Sequence, residues 1–218
     1  SVIEKERSMA YKGKCVEVVP HIPMEVVDRI NKAAKASKAD VMVIEIGGTV
    51  GEYQNILFLE AARMMKLRNP DDVLFTLVSY MPIPGHLGEM KTKPTQNAAR
   101  TLNASGIQAD IILARGKTEL DKPRREKLAL FCGLHSEDEV ISAPDVESIY
   151  LVPEVLERQG LSKLIAKKLK LRLKGDKSAE WNGFVKKMQH ATKPIKIAVV
   201  GKYFGVGSFT LADSYISV

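Results

Sequence analysis

Five short apolar runs divide the chain: Val41–Ile46, Val73–Val78, Ile111–Ala114, Val140–Ala143 and Ile195–Val200. Each is brief, rich in Val and Ile, and bounded by charged or turn-forming residues, which predicts strands buried on both faces. Between them apolar positions recur at helical spacing. Val26, Val27 and Ile30 mark a helix over Met24–Lys35. Ile56, Leu57, Leu59, Ala61 and Met64 mark one that begins at Tyr53 and fades near Arg68-Asn69-Pro70. Further helices are predicted over Thr95–Leu102, Lys122–Phe131 and Pro153–Leu171, with an amphipathic piece at Trp181–Met188. Residues up to Gly13 read as a helix end and turn, and Cys15–Pro20 as β-rich until Pro20 and Pro23 stop it. Strands alternating with helices predict an α/β fold with a parallel, doubly wound sheet flanked by helices.

The first apolar run is the pivot. It opens after Asp40, carries Glu45 near its carboxyl end, and passes into Gly47-Gly48-Thr49-Val50-Gly51-Glu52. A strand, an acid, a glycine turn and a helix N-terminus in succession suit an anion or a metal–nucleotide. The same pattern also suits an ordinary strand–helix turn in which Glu45 accepts from a backbone amide.

A second constellation follows the irregular stretch Met81–Glu89. Lys91 and Lys93 are two apart, so an extended segment points both ammonium groups the same way. With Thr92, Thr95, Gln96 and a helix whose first turn can hold Pro94, they form a candidate clamp for phosphate and a base edge. A solvated basic turn is the competing reading. Arg115, at the end of the third run, and Lys127, on the next helix, repeat the theme; either also suits a surface ion pair. Asp145-Val146 is predicted to open a helical turn after the fourth run. Glu45, Glu52 and the two lysines map to loops on one sheet edge, where acids hold Mg²⁺ through oxygen and cations take phosphate. No Ser or Cys stands beside a visible base, so no nucleophile is indicated.

Composition narrows the partners. The formal net charge is +7, and much of it lies in the stretch 163–177, without the interleaved aromatics of single-strand nucleic-acid binders. That stretch reads as a solvated helix face and linker, so neither nucleic acid nor a membrane is expected as a partner. No apolar run approaches the roughly 20 residues of a spanning helix, and a cytoplasmic location fits. Cys15 and Cys132 are too few for a disulfide framework or a cysteine metal site, and His21, His86, His135 and His190 show no ligand spacing.

Four segments together become recognisable: Glu45-Ile-Gly-Gly-Thr-Val-Gly-Glu52, Gly88-Glu-Met-Lys-Thr-Lys-Pro-Thr-Gln96, Gly106-Ile-Gln-Ala-Asp-Ile-Ile112 and Asp145-Val-Glu-Ser-Ile-Tyr150. With Val18-Val-Pro-His-Ile22 they resemble the CTP synthase family in order and spacing over essentially the whole chain. The resemblance implies a phosphate-loop NTPase-like amidoligase domain and a carbon–nitrogen ligase that makes CTP from UTP. ATP would phosphorylate the uracil 4-oxygen and glutamine-derived ammonia would displace the phosphate. It further implies Mg²⁺ at Glu45. Glu52, Tyr53, Gln54, Lys91, Thr92, Lys93, Gln96 and Lys127 would line the site for UTP and inhibitory CTP. Arg115, Asp145 and Val146 would meet ATP, and the complete enzyme would be a homotetramer.

Three features depart from the family pattern. Glu52 and Gln54 stand where Asp and Glu are frequent, and the loop 81–88 is longer. The family's amino-terminal phosphate loop, a second Mg²⁺-binding acid and the glutaminase Cys, His and Glu have no counterpart in the sequence. Residues 1–172 are therefore expected to be the later part of the synthetase domain, 173–194 a linker, and 195–218 the first strand and start of a class I glutaminase domain. Such a piece is expected to be inactive alone. Another amidoligase, a phosphate-loop ATPase of the dethiobiotin synthase group, and a basic nucleic-acid-binding module are the alternatives.

Overall fold

The computed structural model describes residues 1–85, 88–173, 175, 178–202, 204–210 and 215. They form two compact units, Ser1–Ser178 and Ala179–Val218. The first unit holds α1 (Val2–Arg7), α2 (Val18–Ser37), α3 (Ile56–Arg68), β1 (Thr76–Met81), α4 (Lys93–Ala104), β2 (Ile111–Gly116), α5 (Lys122–Cys132), β3 (Val140–Pro144), α6 (Val152–Arg158) and α7 (Leu161–Lys168). The sheet is parallel, in the order β1-β2-β3, with helical crossovers between its strands. This is the α/β architecture that the alternating pattern predicts.

The core lies where the sheet meets α3, α4 and α5. Leu77 and Met81 from β1, Ile112 and Ala114 from β2 and Val140 from β3 meet Leu59, Ala99, Leu102, Leu128 and Cys132. On β1, Leu77 and Met81 are buried while Thr76, Val78 and Tyr80 are exposed, the alternation of a strand covered on one face. The ends of α5 are encoded locally. The Asp121 carboxylate accepts from the Arg124 backbone N–H at 3.0 Å. Pro123 sits in the first turn, and Gly133, at φ 73°, closes the helix.

The outer side of β3 is closed by side chains. Gln159 Oε1 accepts from Ser142 N–H at 2.9 Å, and its Nε2 donates to Ser142 C=O at 2.7 Å. Arg125 donates to Val140 C=O at 3.1 Å and to Gln159 Oε1 at 2.7 Å. One amide thus makes the pair of bonds that a neighbouring strand would make.

Several elements differ from the sequence expectation. The run Val41–Ile46 is not a strand, and Val43 is 89% exposed. A strand needs a backbone partner as well as apolar side chains, and no described segment pairs with this one. Only Ile46 and Val50 reach the core. Glu45 is accordingly an exposed residue of an irregular segment rather than a strand end. Cys15–Pro20 is not β: α2 begins at Val18, with non-helical backbone at Val19. Pro20 falls in its opening turn, and Pro23 is buried within the helix.

The second strand starts at Thr76 instead of Val73. The Asp110 carboxylate captures Phe75 N–H at 2.8 Å, and Phe75 C=O accepts from Asp110 and Ile111, so the ladder begins only beyond them. Tyr53 precedes α3 by a turn, and Asp145-Val146 is irregular, with a 3₁₀ turn only at Ile149–Leu151.

The second unit contains most of α8 (Ser178–Gln189), whose Val185 is buried, and a short antiparallel hairpin of β4 (Gly205–Val206) and β5 (Phe209–Thr210). The strand expected over Ile195–Val200 is absent, and Ile195 and Ile197 are exposed. Tyr203 and His86 lie outside the described residues. Cys15 and Cys132 are both free; burial pushes the Cys132 thiol up to about 11. Among the described residues no helix is long and apolar enough to cross a membrane.

Candidate functional site

Met81, Gly116 and Pro144 end the three strands in one register. The loops that follow therefore leave from the carboxyl edge of the sheet, the side where open α/β sheets hold ligands. Two concavities lie among the residues that follow these strands.

The first, about 420 Å³, is lined by residues from Glu89 to Lys93 and by Pro123, Arg124 and Lys127 of α5. Lys91 Nζ donates to Glu89 Oε2 at 2.6 Å, and Arg124 lies 3.6 Å from Glu89 Oε1. Lys93 Nζ stands 6.0 Å from the centre of the Phe131 ring. The Lys127 ammonium group makes no hydrogen bond or ion pair among the described residues. Four cations and one carboxylate thus line the pocket. Lys91 first, then Arg124 and Lys127, hold the Glu89 carboxyl below the usual carboxylate range. Such a surplus suits a polyanion, because charge-assisted bonds to phosphate oxygens are the strong ones.

The rest of the expected clamp lies behind this lining. Gln96 is 0% exposed, its Nε2 donates to Thr92 Oγ1 at 3.1 Å, and its Oε1 has no partner. The Thr95 hydroxyl pairs with Ser79 at 2.8 Å and reaches Met81 Sδ at 3.0 Å. Both side chains lie on the inward face of α4 beside Ala99, because positions three and four apart share a face.

The second concavity, about 320 Å³, includes Asp145, Val146, Glu147, Leu151 and Arg158. Asp145 N–H donates to Gly116 C=O at 2.9 Å, fixing the turn after β3, and Arg115 lies 3.6 Å from the Asp145 carboxylate. Arg115, Asp145 and Val146 are thus brought together.

The glycine turn forms a third cluster. Asn55 Nδ2 donates to Thr49 C=O at 2.7 Å and to Gly47 C=O at 3.5 Å. Gln54 Nε2 donates to Glu52 Oε2 at 2.7 Å. Gly48 and Gly51 have φ of 85° and 95°, and a Cβ on Gly51 would meet Thr101 Cγ2 at 2.7 Å. Thr101 is eight residues along α4 from Lys93, about 12 Å of helix rise. Among the described residues no bond joins Glu45, Glu52, Tyr53 or Gln54 to the lysine pocket. Nor does any cluster of three or more His, Cys, Asp or Glu side chains stand ready for a metal ion among them.

A family model described as CTP synthase N-terminus matches residues 1–171, which include all three clusters. The chain belongs to the CTP synthase N-terminal family. Its relatives include the CTP synthases of Pyrococcus furiosus, 45% identical over 219 residues, and Symbiobacterium thermophilum, 43% identical over 220. The CTP synthase of Sulfolobus acidocaldarius is 42% identical over 217. Each match covers 100% of this chain but only 39–40% of the relative. The chain therefore spans about 40% of the length of the CTP synthases it matches.

Sequence reasoning missed Arg124 and Asn55. Arg124 is three residues before Lys127, a spacing that places both on one face of a helix. Asn55 carries a helix-start signal, directly before the apolar run of α3. Its side chain turns back to the glycine loop instead of capping the helix.

Proposed function

We propose that the chain supplies nucleotide-binding surfaces to an enzyme that aminates UTP to CTP. ATP would activate the uracil 4-oxygen by phosphorylation, and ammonia released from glutamine would displace the phosphate. One observation carries this reading: a pocket lined by four cations and one carboxylate at the carboxyl edge of a parallel sheet, in a chain of the CTP synthase N-terminal family. In it Lys91, Thr92, Lys93 and Lys127 take the triphosphate of UTP or of inhibitory CTP, with Gln96 orienting Thr92 from behind. Glu52, Tyr53 and Gln54 meet the pyrimidine from the glycine turn. Arg115, Asp145 and Val146 receive ATP.

Glu45 is a single exposed carboxylate, and that donor set fits Mg²⁺, which binds through one or two carboxylates plus phosphates and water. When bound, the ion neutralises charge on the transferring phosphoryl group. Residues 1–172 would be synthetase domain, 173–194 linker and 195–218 the start of a glutaminase domain, in a cytoplasmic homotetramer.

The test is to measure apparent UTP, CTP and ATP constants for Lys91→Ala and Lys93→Ala in the complete protein at fixed ionic strength. Each loss of a charge-assisted contact should weaken UTP and CTP by about tenfold and ATP much less. An effect confined to ATP would assign these lysines to the other nucleotide.

A further inference from the structure

Among the described residues Glu89 is the one carboxylate lining the lysine pocket, and each of its oxygens faces a different cation. Those are the ionic contacts that two oxygens of a phosphate chain would make. The cations are not equally dependent on it. Arg124 is held independently: its Nε donates to Met90 C=O at 3.2 Å, and its guanidinium also pairs with Asp121. Lys91 is fixed at its backbone, where its N–H donates to Pro82 C=O at 2.9 Å, but among the described residues its ammonium group bonds to Glu89 alone. Glu89 is itself exposed and follows Gly88, whose φ of 59° lies in the region glycine enters at least cost. The carboxylate can therefore leave while Arg124 stays held and Lys91 keeps its backbone anchor.

We propose that Glu89 is a built-in stand-in for phosphate. It neutralises Lys91 and Arg124 when the pocket is empty and is displaced when a triphosphate enters, and Arg124 then becomes a direct phosphate contact. The inference rests on the pocket being the phosphate site. It adds a competitor, which sets affinity from inside the protein, and one further binding residue. A polyphosphate bearing several charges displaces one carboxylate readily; a monophosphate gains little over what it removes. Glu89 therefore favours long phosphate chains over short ones.

Calorimetric titration of the complete protein with UTP, UMP and inorganic tripolyphosphate tests this, at fixed ionic strength, with EDTA and again with Mg²⁺. Glu89→Gln should bind all three tighter, UMP gaining proportionally most, with a gain of about fivefold for exposed contacts of this kind. Glu89→Asp, which keeps the charge, should stay near the wild type. Arg124→Ala should weaken tripolyphosphate by about tenfold, and Glu89→Gln should gain less in that background. Unchanged or weaker binding by Glu89→Gln, while the wild type binds and Lys91→Ala binds more weakly than the wild type, overturns the inference and leaves the pocket reading intact. Weaker binding by Glu89→Gln only with Mg²⁺ also overturns it, because Glu89 would then hold the ion. Failure of the wild type to bind either UTP or tripolyphosphate removes the pocket reading and this inference together.

Discussion

Gly51 shows how much of the glycine turn is decided by single atoms. Its φ of 95° is costly for any residue with a Cβ, and a methyl there would sit 2.7 Å from Thr101 Cγ2. Strain and overlap add, so Gly51→Ala should destabilise the first unit by about 2–4 kcal/mol, read as a fall in the urea midpoint. Thr101→Ala in the same background removes the overlap but not the strain and should restore part of the loss. Full restoration would mean that the backbone angle costs nothing.

At the scale of elements, the join between β3, α5 and α6 is made by side chains remote in sequence. Gln159 answers both backbone groups of the buried Ser142 and also receives Arg125. Gln159→Ala leaves these groups without partners. It should cost about 3 kcal/mol in chemical denaturation and promote association, because an unanswered strand edge accepts other chains. Gln159→Glu keeps the acceptor for Arg125 and Ser142 N–H but loses the donor, so it should fall between. Equal stability of Gln159→Ala and the wild type would show that water replaces the amide.

This join was not legible in the sequence, because nothing around Gln159 marks Ser142 as its partner. The start and stop of α5 were legible, since Asp121, Pro123 and Gly133 act within one turn of themselves. The parallel sheet was legible from alternation, but Val41–Ile46 was not, because an apolar run states a wish for burial without naming the neighbour that grants it. In the site, Lys91, Lys93 and Lys127 could be read from charge and spacing. The burial of Gln96 could not, since it follows from how α4 faces β1. The pairing of Glu89 with Arg124 also spans distant segments and became visible only in three dimensions.

Across the first unit, ionised carboxylates tie separate elements together. Glu139, before β3, accepts from Lys168 of α7 at 2.5 Å and from His135 N–H at 2.8 Å. Burial pushes its carboxyl up, but Lys168 and His135 together outweigh burial and leave it lowered. Glu25 of α2 is held down to about 2, first by Lys5 of α1 and then by Arg29. A carboxyl lowered by folding stabilises the folded state above its unfolded value, and that contribution is lost as pH falls through the folded one. Stability should therefore decline below about pH 4.3, the ordinary carboxylate value. Glu139→Gln should lose about 2 kcal/mol at pH 7 and show a shallower decline in acid, measured as urea midpoints from neutral to acid pH. A parallel pH profile for variant and wild type would remove Glu139 from this linkage.

The amide that answers Ser142 also gives the sheet a direction. Its β3 margin is already satisfied, while β1 pairs with β2 on one side and turns Val78 and Tyr80 outward on one face. A sheet sealed at one margin can lengthen only at the other. An inserted strand beyond β3 must first evict Gln159 and Arg125, whereas among the described residues no strand pairs with the far side of β1. A strand added to this sheet is therefore expected past β1 and not past β3.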